Sequence, residues 1–444
     1  MINKIISRSK LAHSHSIRLL RGFHSAAESR QIVEPHKLSA QILSGYNKPG
    51  LLEKILGVFH DKSVNLFFIN GRVLEKDARG MEKCQFDLSF DGAKPEVIKV
   101  IEDIFRSMGL EFKFQKPPLV DWFAMSEEDM NKLGSVVQRP ADGLNLDHPG
   151  FKDELYKQRR DVFYKSTIGY KMKNPIPTVP YTEEETKLWK YIYEKVRPLH
   201  RKHAHRSFNR AIERLEKEGI FSPDRVPQME ELSSWLKSVS NWRLKPVDGI
   251  LSNREFYNSL ALRTFCSTMY LRHPSRPEYT PEPDIMHEYL GHVPNFADPL
   301  ICDISQKLGM LSLGATDEQI AMIGAIYWFT IEFGLCKEGD TYKFYGAGPG
   351  GSSKEILHIE KMVKDHRDKI YKLDLINNPV PVKFVVQDVQ PFYYAAESFE
   401  DFLKNLNEFG ESFKKPFNLI YDWKTNSYQP DRAIQMKSFE ETNR

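Results

Sequence analysis

His287 and His292, with Glu282, Asp284 and Glu288 around them, are the residues of this chain most able to do chemistry. They lie in Thr280-Pro281-Glu282-Pro283-Asp284-Ile285-Met286-His287-Glu288-Tyr289-Leu290-Gly291-His292-Val293-Pro294, two imidazoles and three carboxylates among three prolines. Imidazole nitrogens and carboxylate oxygens are the donors that bind first-row metals. In the zinc-protease pattern H-E-x-x-H the histidines stand four apart, on one helix face. Here they stand five apart, which on a regular helix turns the second by roughly 140°. The rings converge only if the helix ends between them, and Gly291 followed by Pro294 is a stop signal at that point. The spacing disfavours a zinc hydrolase and leaves open a metal site at a helix C-terminus.

A third ligand is offered downstream. Ile320 to Cys336 reads IAMIGAIYWFTIEFGLC, apolar or weakly polar with one charge, Glu332. The run predicts a buried helix, too short and too Gly-interrupted for a membrane span. A carboxylate buried there must be neutralised, paired with a core cation or bound to a metal. Two histidines and one carboxylate on one face of an ion, with open positions opposite, form the triad of non-haem Fe(II) oxygenases.

At these residues the chain acquires a resemblance. PEPDxxHExLGHxP, followed by YWFTIEFGLCK, resembles the pterin-dependent aromatic amino acid hydroxylases, and so do residues 144–160, 175–189, 243–256, 311–314 and 344–348. The likeness runs roughly from Asp121 to Tyr428. It implies Fe(II) held by His287, His292 and Glu332, which are then also the catalytic centre. It implies tetrahydrobiopterin or a related reduced pterin against Leu251, Phe256, Glu288 and Tyr327. It places an amino acid substrate and O2 near Arg272, Tyr279, Thr280, Pro281, Trp328, Gly348 and Ser352. Arg272 would hold the substrate carboxylate as a bidentate pair; the alternative is a structural salt bridge to Asp284. Phe256 and Trp328, read without the resemblance, are core residues. By the resemblance, Val386 stands where tyrosine hydroxylases carry an acid and Trp328 where tryptophan hydroxylases commonly carry Phe, which implies phenylalanine rather than tyrosine or tryptophan as substrate.

Two departures from the family stand out. Cys266 replaces a histidine of animal members on the pterin side. Gly351 stands where the family has a serine hydrogen-bonded near the metal, and the paired serines follow one position later. Either the loop re-registers so that Ser352 takes that bond, or the bond is lost. The stretch is no phosphate loop, because no Gly-Lys-Ser/Thr follows it. A different class, an amino-acid sensor with a decayed catalytic part, conflicts with the intact triad.

The elements that must position these groups fall into two parts, an α+β chain. Residues 38–116 alternate as βαββαβ: LSAQILSG, the amphipathic LLEKILGVFHDKS after Pro49-Gly50, VNLFFINGRV, MEKCQFDLSFDG, the amphipathic PEVIKVIEDIFRSMG, then LEFKFQK. That order predicts a ferredoxin-like sheet and resembles the ACT regulatory domain. Residues 117–430 form the catalytic part, mostly helical, with helices predicted at 151–163, 183–203, 208–219, 229–238 and 254–271. Residues 431–444 are a short charged tail. No sustained a/d heptad follows, which predicts a homodimer or monomer.

Composition sets the bounds. The 444 residues allow two or three domains. Four distant cysteines form no C-x-x-C pair and fit a reducing compartment. Residues 1–27 carry five basic groups and no acid, leaving 58 basic against 60 acidic residues elsewhere. That leader has the composition of a transit peptide, mitochondrial by its spread of arginines, with plastid or cytoplasm as alternatives. The nearly neutral remainder offers no footprint for nucleic acid, and no long apolar segment calls for a membrane.

Overall fold

The computed structural model describes residues 37–444 apart from 45–48, 77, 79–81, 92–93, 116, 135–143, 145, 279–281, 385, 387–388, 433 and 443–444. The leader 1–27 lies outside the described residues, as do Tyr279, Thr280 and Pro281. The chain divides into two compact units, Met1–Pro118 with Arg432–Gln435, and Leu119–Asp431 with Met436–Arg444.

The first unit runs β1 (Lys37–Ser44), α1 (Leu51–Asp61), β2 (Leu66–Lys76), β3 (Glu82–Asp91), α2 (Pro95–Ser107) and β4 (Leu110–Gln115). Its strands form one antiparallel sheet in the order β2-β3-β1-β4, the ferredoxin-like arrangement. Period-two alternation puts Phe86, Leu88 and Phe90 of β3 on the face that packs with Ile55, Phe59, Ile101 and Phe105 of the two helices. Gln85 and Asp87 alternate with them, also buried, and the Gln85 amide donates to Asp87 at 2.8 Å. Gly50 makes the turn into α1 at φ 82°, a conformation that suits glycine.

The second unit is mostly helical. α3 (Glu154–Thr167), α4 (Glu183–His203), α5 (Arg206–Lys217) and α6 (Met229–Ser240) lie within a few residues of the predicted spans. Capping fixes the starts: Asp153 accepts from Tyr156, and Thr182 with Glu185 forms a capping box. Strand β5 (Arg243–Pro246) pairs in parallel with β6 (Thr264–Ser267), joined across α7 (Asn253–Ala261). The helix expected over 254–271 therefore stops at Ala261. Arg263 adopts a left-handed φ of 49°, and the wholly buried Thr264-Phe265-Cys266-Ser267 then satisfies its backbone against β5.

Next come α8, a composite helix over Ile285–Asn295, α9 (Pro299–Ser312) and α10, which runs from Asp317 to Tyr327 and continues in a wider turn, Trp328–Glu332. The apolar run expected to stay helical to Cys336 leaves the helix at Glu332, and Leu335 opens β7 (Leu335–Glu338). Gly334 makes the exit possible: a Cβ there would sit 2.5 Å from the Tyr345 ring. β8 (Thr341–Phe344), α11 (Ser353–Asp365), β9 (Ile370–Lys372) and β10 (Tyr393–Ala396) follow, and the sheet order is β9-β10-β7-β8. α12 (Phe399–Ser412) and a hairpin of β11 (Leu419–Asp422) and β12 (Ser427–Pro430) complete the unit. The charged stretch after residue 430 is not a loose tail: Phe439 is buried edge-on to Trp122, centroids 4.9 Å apart. All four cysteines are buried and unpaired. Among the described residues no helix is long and apolar enough to cross a membrane.

Candidate metal centre and active site

α8 solves the five-residue spacing without ending. Ile285–His287 is α-helical, Glu288–His292 is π-helical, and Val293–Asn295 is α-helical again. The Val293 amide donates to the Glu288 carbonyl five residues back. The wider turn of a π-bulge brings residues five apart toward one face. The expected helix end between the histidines is therefore corrected. Pro294 has no N–H to give the regular i−4 bond, which favours the wider turn. Gly291 permits the close packing there, since a Cβ on it would strike the Ala347 backbone. Asp284 starts the helix by accepting from the His287 amide at 3.3 Å.

Glu332 closes a second π turn, in which the Phe333 amide donates to the Trp328 carbonyl at 3.0 Å. The three side chains converge. His292 Nε2 lies 3.0 Å from Glu332 Oε1, His287 Nε2 lies 3.4 Å from Glu332 Oε2, and the two Nε2 atoms are 3.1 Å apart. Ligands at about 2.1 Å from one ion and at right angles to each other stand about 3.0 Å apart. The separations are therefore those that a single first-row cation spans, and the donor set is that of a facial triad.

Electrostatics point the same way. Burial raises the Glu332 carboxyl, but His292 and His287 outweigh it and hold the group well below the usual carboxylate range. Burial disfavours a charged His287, yet Glu332, and behind it Glu288 and Asp284, push it up to about 9. Burial keeps His292 down. A pocket that holds a proton this firmly between two imidazoles and a carboxylate is one where a cation competes for the same lone pairs.

Around this centre the other candidates fall into place unequally. Arg272 is buried, and its fork is already used: Nε and Nη2 donate to the two Asp284 oxygens at 2.9 and 2.8 Å. Nη1 faces the carbonyls of Pro277 and Gly351 at 3.2 and 3.4 Å. Asp284 occupies the edge of the guanidinium expected to face a substrate carboxylate, and the second Nη2 hydrogen has no partner among the described residues. Asp284 thus ties Arg272 to the start of the ligand helix.

On another side Phe256, Phe265, Tyr327 and His292 form a run of rings, with Phe256–Tyr327 centroids 5.3 Å and Phe265–His292 centroids 4.5 Å apart. Leu251 is buried nearby in sequence. Glu288 Oε2 and the Tyr327 hydroxyl are buried with no hydrogen-bond partner among the described residues. Burial pushes the Glu288 carboxyl up to about 8, helped by Glu332 and Asp284 against the opposing His287. Orphaned buried polar atoms beside an aromatic face fit a polar heterocycle.

Gly348 sits in a short helical turn, Ala347–Gly350, and a Cβ on it would meet the Phe333 ring. Ser352 does not re-register toward the histidines: its hydroxyl caps α11, accepting from the Glu355 amide at 3.3 Å. At Gly351 the contact is backbone on backbone, a Cβ there lying 2.6 Å from Met286 O and 3.0 Å from His287 N. Cys266 is buried in β6 beside the ring cluster.

A family model for biopterin-dependent aromatic amino acid hydroxylases matches residues 121–438. The chain belongs to that family. The hydroxylase is 38% identical over 404 residues to the phenylalanine-4-hydroxylase of Bos taurus, which covers 89% of this chain and 87% of that one. It is 34% identical over 375 residues to the tyrosine 3-monooxygenase of Mus musculus, covering 84% and 74%. The solved phenylalanine hydroxylase of Chromobacterium violaceum, with bound oxidised Fe(III), aligns at 26% identity with a TM-score of 0.49, covering 57% of this chain and 92% of that chain. The hydroxylase is a pterin-dependent monooxygenase.

Sequence reasoning about the hydroxylase missed a buried polar cluster under the PEPD segment. Arg160 donates to Glu282 at 2.9 Å and lies 3.2 Å over the Tyr270 ring, while the Tyr270 hydroxyl donates to the same Glu282 oxygen at 2.7 Å. The one available signal was Glu282 itself, an acid between two prolines with no metal role.

Proposed function

We propose that the hydroxylase converts L-phenylalanine to L-tyrosine with O2 and a tetrahydropterin, at a ferrous ion held by His287, His292 and Glu332. The convergence of these three donors, from two helices that each carry a π turn, carries the reading. When bound, ferrous iron and the reduced pterin supply the activation of O2. The chain supplies placement. Asp284 and Arg272 hold the ligand helix, and the remaining Arg272 hydrogen is directed to a substrate carboxylate. Phe256 offers a ring face to the pterin, with Glu288 and Tyr327 offering polar atoms. A neutral Glu288, supported by its raised pKa of about 8, can donate a hydrogen bond at neutral pH.

Trp328, stacked on Phe384 with centroids 4.5 Å apart, forms a wall for the aromatic side chain. Val386, the other residue that favoured phenylalanine, is 63% exposed, so Trp328 carries the discrimination. The ferredoxin-like first unit is assigned as an ACT-like regulatory domain on its topology, and the basic leader as a mitochondrial transit peptide on its composition.

The test is O2-dependent turnover of phenylalanine, tyrosine and tryptophan by Fe(II)-loaded protein with tetrahydrobiopterin, the products separated by chromatography. Tyrosine formed from phenylalanine as the preferred reaction supports the assignment. Preference for either other amino acid overturns the substrate, and no product from any of the three overturns the activity.

A further inference from the structure

Behind Trp328 lies a buried polar chain that the hydroxylation reading does not use. Trp328 opens the π turn that ends at Glu332. Its ring lies flat on Phe384, interplanar angle 16°, and 4.8 Å from Phe333. Stacking by itself lets an indole slide or turn over in its plane. Its one donor, Nε1–H, breaks that symmetry. The donor reaches Gln390 Oε1 at 3.0 Å.

Gln390 is fully buried and is itself held from the opposite side. Its backbone N–H donates to Glu355 Oε1 at 3.4 Å, and its backbone carbonyl lies 2.9 Å from His358 Nε2. The Tyr393 hydroxyl donates to the same Glu355 oxygen at 2.5 Å, within the short range of hydrogen bonds to an ionised acceptor. Glu355 and His358 stand on α11, Tyr393 on β10 and Trp328 at the end of α10. Three elements are thus joined at one buried residue, whose backbone is held by α11 and whose side-chain oxygen holds Trp328.

We propose that Gln390 is a specificity-determining positioning residue. It fixes the indole of Trp328 in one orientation, and Glu355 and Tyr393 fix Gln390, so that the pocket wall is rigid enough to select the aromatic side chain by size. This rests on Trp328 being that wall, as read above. A hydrogen-bonded brace of this kind acts as a unit, because each member satisfies its neighbour in a medium where an unpaired polar group is costly. Selection between side chains by pocket shape then depends on whether the wall can yield.

The experiment compares Gln390→Leu, Trp328→Phe and the double variant with the parent enzyme, loaded with iron. The readouts are kcat and KM for phenylalanine and for tryptophan, and the fluorescence of Trp328 isolated from the other five tryptophans by subtracting the spectrum of the matched variant lacking it. Gln390→Leu is expected to raise KM for phenylalanine about tenfold while kcat stays within about twofold, and to narrow the preference for phenylalanine over tryptophan. In the Trp328→Phe background the same change is expected to do nothing further to KM. With Trp328 present, Gln390→Leu is expected to shift the emission of that residue. Tyr393→Phe, which removes one hydroxyl at constant shape, gives a smaller KM rise in the same direction and keeps the test open if Gln390→Leu fails to fold. An unchanged KM in both variants, or an equal effect with and without Trp328, overturns the brace. If the parent turns over no aromatic amino acid, the substrate reading fails by itself. The Trp328 emission then decides whether Gln390 orients the indole.

Discussion

Restoring the family serine at position 351 should damage this enzyme. A Cβ on Gly351 would lie 2.6 Å from Met286 O, 2.8 Å from Met286 C and 3.0 Å from His287 N, where ordinary contact begins at 3.4 Å. Both sides of the clash are backbone, so no side chain can swing away. Gly351→Ser must therefore part the Ala347–Gly350 turn from the first turn of α8 by about 0.8 Å, against a tolerance of about 0.2 Å for metal–ligand distances. Overpacking of this size costs about 1–3 kcal/mol, or about 2–6 °C in Tm at about 2 °C per kcal/mol for a large domain. Displacing the support of a ligand histidine lowers metal affinity by about 10- to 100-fold. The assay is Fe(II) titration under anaerobic conditions, followed by calorimetric melting of the metal-free protein. Gly57→Ala, with nothing within 4 Å of the added Cβ, is the control and should leave iron affinity unchanged. Gly351→Ser with parental iron affinity and a Tm within about 1 °C would refute the argument that backbone contact at this glycine sets the place of His287.

Other outcomes are expected at and around the centre. His287→Ala should abolish stoichiometric iron binding and turnover; one iron retained per chain would remove His287 from the ligand set. Arg272→Lys loses the fork to Asp284 and should lower Tm and iron affinity as well as raise KM for phenylalanine by about 10-fold or more; a change in KM alone would contradict the structural clamp. Because a proton held by His287 up to about pH 9 occupies the metal's lone pairs, apparent Fe(II) affinity should rise with pH toward that value, by about tenfold per unit if one proton is displaced. A flat profile from pH 6 to 8 would rule out this competition. Burial lowers His200 to about 3, where its Nε2–H donates to the Gly350 carbonyl at 2.8 Å. The unfolded chain then binds a proton that the native state refuses, so stability from this group is complete above about pH 6.5 and falls as pH drops toward 3. The loss at pH 5 is about 2 kcal/mol, and His200→Leu should melt lower at pH 7 but with a flatter decline from pH 7 to 5.

The three donors that the structure brings together were legible because their chemistry is. Two histidines and a lone buried acid in apolar sequence have few other uses. The way they meet was not legible, since a π turn is made by which carbonyl an amide chooses, and Glu288–His292 contains no residue that announces it. The same limit hid the break at Arg263, a residue with no local preference for left-handed backbone. Arg272 was recognised with two partners in view, a substrate carboxylate and Asp284; that Asp284, twelve residues away, takes Nε and Nη2 was a matter of distance. Amphipathic period made the helices of both units and the strands of the first unit readable. The polar brace at Gln390 joins residues 328, 355, 390 and 393, too far apart in the chain for any pattern to connect.

Each of the two π turns can be regarded as one residue added to an α-helix without shifting what lies beyond it. On that view the centre is the product of two single-residue insertions, one before His292 and one before Glu332. Deleting Leu290 would return α8 to regular hydrogen bonding and restore four-residue spacing between the histidines, the spacing of a zinc-protease helix. Such a protein would gain helix regularity while its ligand helix moved out of step with Glu332. The enzyme therefore keeps two irregular turns that its helices could shed by a single codon each, and an ion held by the proposed triad would give those extra residues a reason to persist.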